Sequence, residues 1–347
     1  MSEKYFAASN SGGGFCSYYD ETFNRALFEK IYVIKGGSGT GKAFFMKRIA
    51  AEAEKRGMSV RYIYCSSDAD SLDGIIVKEM KLAVLDGTSP HVFEPQAVGA
   101  IETIVDLGTF LNEKMLRSSR RVIEEALERK SKGFKNAYAY LSAYREVCYA
   151  IERIVKPYVR LDKIEKFTQR FVESIEKGKN IREHLLTRSI GMRGLRDFDT
   201  YREGATVYYR VNDYFDTAHF FMKAMLNSLE KAGTDVRISP NPIIPERTDV
   251  LCATSSGLTF EISNEANGEA RNVNMKRFTD AAMITEIRGE YRAAVRVRDD
   301  TLSLALSEFE KIKKYHFILE EIYGSAMDFK AKEQFTDDFC KKIFQNN

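Results

Sequence analysis

The sequence repeats itself at a constant offset, the one that carries Phe44 onto Phe220, and this repeat constrains the two halves of the chain to similar folds. The run FFMK at 44–47 recurs at 220–223. The same ungapped offset aligns Glu54-Lys55 with Glu230-Lys231, Gly57 with Gly233, Val60-Arg61 with Val236-Arg237, Asp73 with Asp249, and Leu82 with Leu258. Such agreement is hard to obtain by chance. We therefore predict two copies of one module, 1–178 and 179–347, with helical additions at about 101–176 and 283–345.

Residues 31–48 predict a strand, a glycine-rich turn and the start of a helix. Apolar, β-favouring residues occupy 31–34, and apolar residues recur at helical spacing from Phe44 to Ala53. The run SVRYIYC at 59–65 predicts a second strand, which gives the order of a parallel α/β unit. The predicted fold is therefore α/β, with a parallel sheet flanked by helices in each copy.

The glycine-rich turn has the spacing of a phosphate-binding P-loop, because four residues separate Gly36 from Gly41 and Lys42 follows. Glycines let backbone N–H groups wrap around phosphate, and the lysine can reach the outer phosphates. The predicted nucleotide-binding residues are Gly36, Gly37, Ser38, Gly39, Thr40, Gly41, Lys42 and Ala43. A hydroxyl that binds Mg²⁺ normally ends this motif, and Ala43 lacks it. Either water replaces that ligand or Ala43 is an inactivating change, natural or engineered. Nucleotide binding is thus a stronger expectation than efficient turnover.

Carboxylates in two segments are candidates for chemistry together with Lys42. The run LAVLD at 82–86 has the form of a Walker B strand, so Asp86 is predicted to lie beside the loop and bind Mg²⁺. The segment SSDADSLDG follows the 59–65 strand. Its Asp68 or Asp70 could accept a proton or orient water near the γ-phosphate, although a polar turn has the same composition. Gly87 stands where many ATPases carry a catalytic glutamate, so no base for water is evident.

The second copy has lost the phosphate loop. Under the repeat, GGSGTGK becomes NDYFDTA at 212–218, and Ile262 replaces Asp86. Bulky side chains and carboxylates would exclude phosphate, so the second half is predicted to support or regulate the first. Five arginines at 182–202 favour a solvated basic connector, with an arginine finger as the alternative. They are Arg182, Arg188, Arg193, Arg196 and Arg202.

Composition limits the expected cellular location of the protein and the classes of its binding partners. A hydrophobic content of 44%, a charged content of 30% and the lack of a membrane-spanning run are typical of a soluble globular protein. The N-terminal sequence lacks the apolar core of a signal peptide, so we expect a cytoplasmic protein with no membrane partner. A net charge of +3 is too small to indicate nucleic acid, and five scattered cysteines and four distant histidines indicate neither disulfides nor zinc.

Three segments together resemble an uncharacterised bacterial family of tandem P-loop ATPases, also described as nucleotide kinases, within the P-loop NTPase superfamily. They are KGGSGTGK, CSSDADSLDG and LAVLDGTSPH. The resemblance covers most of the chain and implies a P-loop fold with ATP as the bound nucleotide. In that family the loop usually ends in Ser or Thr, and the second copy commonly has its own P-loop. This sequence departs from the family at Ala43 and at 212–218.

The leading hypothesis is an ATP-binding protein with weak Mg²⁺-dependent ATPase activity and a nucleotide-driven conformational switch. One alternative is a nucleotide or small-molecule kinase, in which the acidic segment receives an acceptor hydroxyl. A second alternative is a non-catalytic scaffold that senses nucleotide. An unidentified protein partner or acceptor is implied in each case, and long helices rich in Tyr, Leu and Ile are compatible with a homo-oligomer.

Overall fold

The computed structural model describes residues 2–90, 93–173, 175–265, 270–280 and 282–345. Strands of the first half are β1 (Glu3–Phe6), β2 (Ala8–Ser11), β3 (Gly14–Ser17), β4 (Lys30–Lys35), β5 (Val60–Tyr64), β6 (Leu72–Val77), β7 (Leu82–Asp86) and β8 (Glu102–Asp106). Helices of this half are α1 (Tyr19–Thr22), α2 (Lys42–Lys55), α3 (Glu113–Ser118), α4 (Arg120–Val155) and α5 (Leu161–Val172). Short 3-10 turns cover Arg25–Leu27, Leu107–Phe110 and Lys156–Tyr158.

The second half has the same order of strands. Its strands are β9 (Arg182–His184), β10 (Arg188–Gly191), β11 (Gly194–Asp197), β12 (Val207–Asn212), β13 (Val236–Pro240), β14 (Thr248–Ala253), β15 (Leu258–Ile262) and β16 (Arg271–Asn274). Its helices are α6 (Thr200–Glu203), α7 (Ala218–Ala232), α8 (Met283–Ser325) and α9 (Phe329–Gln345), with a 3-10 turn at Met275–Phe278. These four helices correspond, in that order, to α1, α2, α4 and α5. Helices α8 and α9 occupy the 283–345 region that the sequence predicts to be helical.

Two six-stranded sheets have matching strand orders. The first is β1-β5-β6-β7-β4-β8, and the second is β9-β13-β14-β15-β12-β16. Strands at the same position in the two sheets come at the same place in the strand order of their halves, for example β4 and β12. The structure is therefore α/β, and its matching topologies are consistent with the duplication predicted from the repeat.

The sheets are mixed, so the prediction of parallel sheets is wrong. Strand β4 pairs in parallel with β7 and β8, but β5, β6 and β7 pair antiparallel. The sequence patterns do not predict β6, whose connections at 65–71 and 78–81 are too short for a crossover helix. Because β6 and β7 lie between β5 and β4 in the sheet, β5 is not a neighbour of β4.

The helical block of the first half begins later than the predicted residue 101. Residues Glu102–Asp106 form the edge strand β8, and helices start only at α3. From there α4 runs antiparallel to α8. Lys130 Nζ lies 3.3 Å from His316 Nδ1, and Asn136 donates to Glu308 over 3.1 Å. These two long helices join one sheet to the other.

The last helix of each half packs against the other half. In the second sheet's core, Phe167 of α5 lies 6.0 Å, between ring centroids, from Phe221 of α7. In the first sheet's core, Phe339 of α9 lies 5.1 Å from Phe45 of α2. The boundary predicted at 178/179 falls between α5 and β9, whereas the packed units exchange their terminal helices.

The halves also meet through related backbone contacts near the β2–β3 and β10–β11 hairpins. Gly12 N donates to Ile243 O over 2.9 Å, and Met192 N donates to Ser67 O over 2.8 Å. Gly12 and Met192 are the first turn residues of the two hairpins, and the repeat carries Ser67 onto Ile243, so the two bonds correspond and this contact has approximate two-fold symmetry. It holds the turn of the second hairpin against the acidic segment of the first half.

Among the described residues, no helix combines the length and apolarity needed to cross a membrane. All five cysteines are free. In the same described ranges, no group of three or more His, Cys, Asp or Glu side chains is arranged to bind a metal ion.

Candidate functional site

The glycine-rich loop connects β4 to α2 with the backbone that its sequence predicts. Gly39 has φ +72° and Gly41 has φ +80°, in the left-handed region that favours glycine. Gly41 is the residue before the first turn of α2. This geometry lets residues 36–41 turn sharply and directs the chain into the helix. Ser38 lies in the loop, and Ala43 lies in the first turn of the helix. The Thr40 hydroxyl donates to Gly37 O over 2.9 Å.

The backbone amides around this turn have no hydrogen-bond acceptor among the described residues. Within the described part of the chain, none of the N–H groups of residues 37–44 donates a hydrogen bond, and the first amide of α2 that does so is Phe45 N, to Gly41 O. Free amides at the start of a helix carry the positive end of the helix dipole. Their arrangement fits a phosphate group, which accepts several such bonds at once.

Lys42 lies between the loop and the predicted Walker B carboxylate. Its Nζ donates to Gly36 O over 2.9 Å and to Gly37 O over 2.8 Å, and lies 3.5 Å from Asp86 Oδ2. Asp86 reaches this place because β7 pairs in parallel with β4 and sets Asp86 opposite Ile34. Both Lys42 and Asp86 side chains are only 13% exposed.

Asp86 has a second partner at its other oxygen. Its Oδ1 accepts bonds from Thr88 N, over 2.9 Å, and from Thr88 Oγ1, over 2.6 Å. Burial raises the pKa of Asp86, while the nearby Lys42 charge and the Thr88 hydrogen bonds act against the rise. Within the described residues, Oδ2 has only the longer 3.5 Å ion pair with Lys42, whereas Oδ1 accepts both Thr88 bonds, so Oδ2 is the oxygen that a metal ion could share.

Asp68 and Asp70 bind an arginine from the second half. Arg193 Nε donates to Asp68 Oδ1 over 3.0 Å, and Arg193 Nη2 lies 3.0 Å from Asp70 Oδ2. The same guanidinium lies over the ring of Phe317. Asp68 is buried, but in the described ranges no hydrogen bond or ion pair connects Asp68 or Asp70 to residues 36–43. The structure thus brings Lys42 and Asp86 together and gives the other two carboxylates a different partner.

The 182–202 segment is not a solvated connector, so that interpretation is wrong. It forms β9, β10, β11 and α6, and most of its arginines make ion pairs. Arg182 pairs with Glu230, and Arg188 pairs with Asp197, Asp249 and Glu261. Arg202 pairs with Asp199 and Glu261. Only Arg193 extends to the first half among these pairs, because the β10–β11 turn packs on the acidic segment.

Helices α8 and α9 cover the glycine-rich loop. A Cβ placed on Gly37 would lie 3.0 Å from the ring of Tyr323, and one on Gly39 would lie 2.6 Å from the carbonyl oxygen of Glu320. A Cβ on Gly41 would lie 2.4 Å from Lys332 Nζ. The loop is therefore in direct contact with the C-terminal helices, which the sequence patterns do not predict.

The corresponding loop of the second half contains its own anion. Asp213 Oδ1 accepts bonds from Ala218 N over 2.8 Å and from Tyr214 N over 2.9 Å, so a carboxylate occupies the start of α7. Asp216 lies 2.7 Å from Arg298 Nη1 and accepts a 2.7 Å bond from Tyr291. Burial, with the Asp216 charge next, raises the pKa of Asp213. These contacts explain how the second copy can keep a strand-loop-helix unit without glycine or lysine.

No protein-family model matches this chain, and neither a curated protein nor a solved structure matches it. The assignment of a function therefore depends on the geometry of the loop and its neighbours.

Proposed function

We propose that residues 36–43 of the first half bind the phosphates of a nucleoside triphosphate, with ATP as the leading candidate. The observation that carries this proposal is the run of unused amides at 37–44 around Lys42. In the bound state Lys42 would exchange its loop carbonyls for the outer phosphates, a charge-assisted contact. The second loop would take no nucleotide, because Asp213 already fills its helix terminus.

Magnesium would enter with the nucleotide and be held by Asp86. The available Oδ2 and the adjacent Thr88 hydroxyl are oxygen ligands of the kind that Mg²⁺ prefers. When bound, the ion would neutralise charge on the phosphates. Ala43 adds no oxygen, so the metal shell would depend more on water than in a loop that ends in Ser or Thr.

Slow hydrolysis coupled to a conformational switch fits these residues better than fast turnover. Gly87 follows Asp86, and both Asp68 and Asp70 are paired with Arg193, so neither carboxylate is positioned as an unpaired base. The same pairing argues against the kinase alternative, which needs one of these carboxylates for an acceptor hydroxyl. We keep the cytoplasm as the proposed location, and an unidentified protein as the partner that would read the nucleotide state.

The contacts of α8 and α9 with the loop suggest what the switch moves. Glu320, Tyr323 and Lys332 all lie against loop glycines, so a bound triphosphate would act directly on these two helices. Helix α8 continues along α4 to the second sheet. Nucleotide at the first loop would therefore alter the position of the second half, and the second half would bias nucleotide affinity in return.

Calorimetric titration with ATP, with and without Mg²⁺, tests the proposed function. We expect one site per chain and a tighter site when Mg²⁺ is present, because the first loop has a lysine, whereas the second loop has none and holds the Asp213 carboxylate at the start of its helix. Titration with adenosine is the matched control and should give no comparable heat. Two equal sites, or the lack of any site for ATP, would contradict the proposal.

Replacing Ala43 with serine is expected to raise Mg²⁺-dependent turnover by about tenfold, because the hydroxyl supplies one more ligand to the metal. The steady-state rate of phosphate release measures this effect, and the same assay without Mg²⁺ is the control. An unchanged rate would show that the missing hydroxyl does not limit turnover.

A further inference from the structure

Lys332 is a buried cation that forms no side-chain hydrogen bond or ion pair within the described ranges. It lies in the first turn of α9 and is 2% exposed. Its Nζ lies 4.6 Å from the ring centroid of Phe44 and 5.1 Å from that of Phe329. Burial lowers the pKa of this lysine, against a weaker opposing effect of the Glu333 charge. Two aromatic faces offset only part of the cost of burying an ammonium group.

The ammonium group lies at the glycine-rich loop. A Cβ built on Gly41 would collide with Lys332 Nζ, so the ammonium group lies directly against the backbone of the loop. Gly41 precedes Lys42 at the start of α2, where free amides already create a positive potential. A second cation at this place is unfavourable without an anion. The arrangement indicates a ligand with several negative charges.

The second half provides an internal comparison for this position. The run FTDDF at 335–339 matches FTQRF at 167–171, at the offset that carries Phe167 onto Phe335. The isolated bridges Leu111–Met327 and Val159–Thr279 obey the same offset, which fixes the correspondence of α9 with α5. Lys332 then corresponds to Ile164, a fully buried residue in the apolar core of the second half.

The exchange of lysine for isoleucine between positions 332 and 164 accompanies a difference between the two loops. Thr336 and its counterpart Thr168 are both buried, so the same face of each helix packs on its sheet. An apolar residue at 164 faces the half whose loop has no glycine or lysine. A lysine at 332 faces the half whose loop has both. Packing alone therefore does not require a cation at 332.

We propose that Lys332 is a second phosphate-binding lysine, delivered to the first loop by the exchanged helix α9. This inference rests on the proposed function and names a further residue of the same site. The recognised chemistry is a di- or triphosphate group, which a nucleotide or an inorganic polyphosphate could supply. A bound phosphate chain would attract the ammonium and so favour the docked position of α9. The C-terminal helix then takes part in the nucleotide response.

The test compares Lys332→Ile, which installs the residue of the second half, with Lys332→Arg and Lys330→Ile. Lys330 is an exposed lysine on the same helix. Titrations with ATP and with inorganic triphosphate should both weaken by about tenfold or more in Lys332→Ile, since a charge-assisted hydrogen bond is lost. Lys332→Arg should retain most of the affinity, and Lys330→Ile should match the wild-type protein.

Thermal unfolding without nucleotide separates this role from a structural one. Lys332→Ile should unfold at the wild-type temperature or above it, because an uncompensated buried cation has been removed. Wild-type affinity in Lys332→Ile, together with loss of binding in Lys42→Ala, would overturn this inference and leave the proposed function standing. Weakening for ATP but not for triphosphate would also overturn it. A wild-type protein that binds neither compound would overturn both proposals.

Discussion

Replacement of Lys42 by alanine is expected to weaken ATP binding by about a hundredfold or more. The change removes the ammonium group that would contact the outer phosphates, and two charge-assisted hydrogen bonds account for a loss of this size. It also removes the only cation paired with Asp86 within the described residues. Repulsion between that buried carboxylate and the phosphates would then act without a counter-charge.

The matched control for Lys42→Ala is Lys55→Ala, at the exposed end of the same helix. Calorimetric titration should give wild-type affinity for Lys55→Ala. Both variants should keep the wild-type circular dichroism spectrum, because Lys42 contacts loop carbonyls and not the core. Equal affinities of Lys42→Ala and the wild-type protein would refute the phosphate assignment of residues 36–43.

The α/β class and the duplication could be predicted because both depend on local sequence. Helix α2 and strands β5 and β7 lie where apolar spacing predicts them, and the offset that carries Phe44 onto Phe220 also carries them onto α7, β13 and β15. The strand-loop-helix unit predicted from glycine spacing is confirmed as backbone geometry. Nucleotide binding by this loop remains a prediction, because the backbone geometry alone does not identify the ligand.

The mixed sheet could not be predicted from the same patterns. Strand β6 has the sequence LDGIIV, in which Asp73 and Gly74 weaken the strand signal. Its pairing with β5 and β7 is decided by short connections and by burial on both faces. Likewise, the edge strand β8 is only partly buried, and it precedes strongly helical sequence.

The contacts of Arg193 and Lys332 with the first half could not be predicted for a different reason. Each residue belongs to an element far away in the sequence, and reaches the first half through the β10–β11 turn or through the exchange of α9. Composition alone gives no sign of such a contact. The match between FTQRF and FTDDF was a usable signal for Lys332, since it sets a lysine against an isoleucine within otherwise similar helices.

Removal of the Glu261 carboxylate is expected to destabilise the second half strongly. Its side chain is 4% exposed and pairs with Arg188 and Arg202, while Tyr208 donates to it over 2.8 Å. Arg188 lies in β10 and Arg202 in α6, so Glu261 fixes the segment that carries Arg193 to the first half. The corresponding residue of β7 is Leu85, which shows that the fold itself does not need this charge.

Glu261→Ala should lower the free energy of unfolding by about 3–5 kcal/mol, because it leaves two guanidinium groups partly unpaired in a buried place. Glu261→Gln keeps the shape and should lose less. Urea denaturation measures both variants against Glu203→Gln, which changes an exposed glutamate of α6 whose side chain makes no hydrogen bond or ion pair in the described ranges. A loss below about 1 kcal/mol in Glu261→Ala would contradict this prediction, because it would show that these ion pairs stabilise the fold no more than exposed surface pairs do.

The pH dependence of this difference gives a second, independent check. Burial acts to raise the pKa of Glu261, but the hydrogen bond from Arg202 and the charge of Arg188 prevail and lower the pKa below its usual value. A lowered pKa stabilises the fold above the unfolded-state pKa, about 4.3 for glutamate, and this stabilisation is lost as the pH falls through the folded-state value. The stability gap between wild-type protein and Glu261→Gln should therefore be full at pH 7 and shrink in acid below about pH 4. A gap that stayed constant to low pH would mean that the carboxylate charge contributes nothing, and that only the shape of the Glu261 side chain positions β10 and α6.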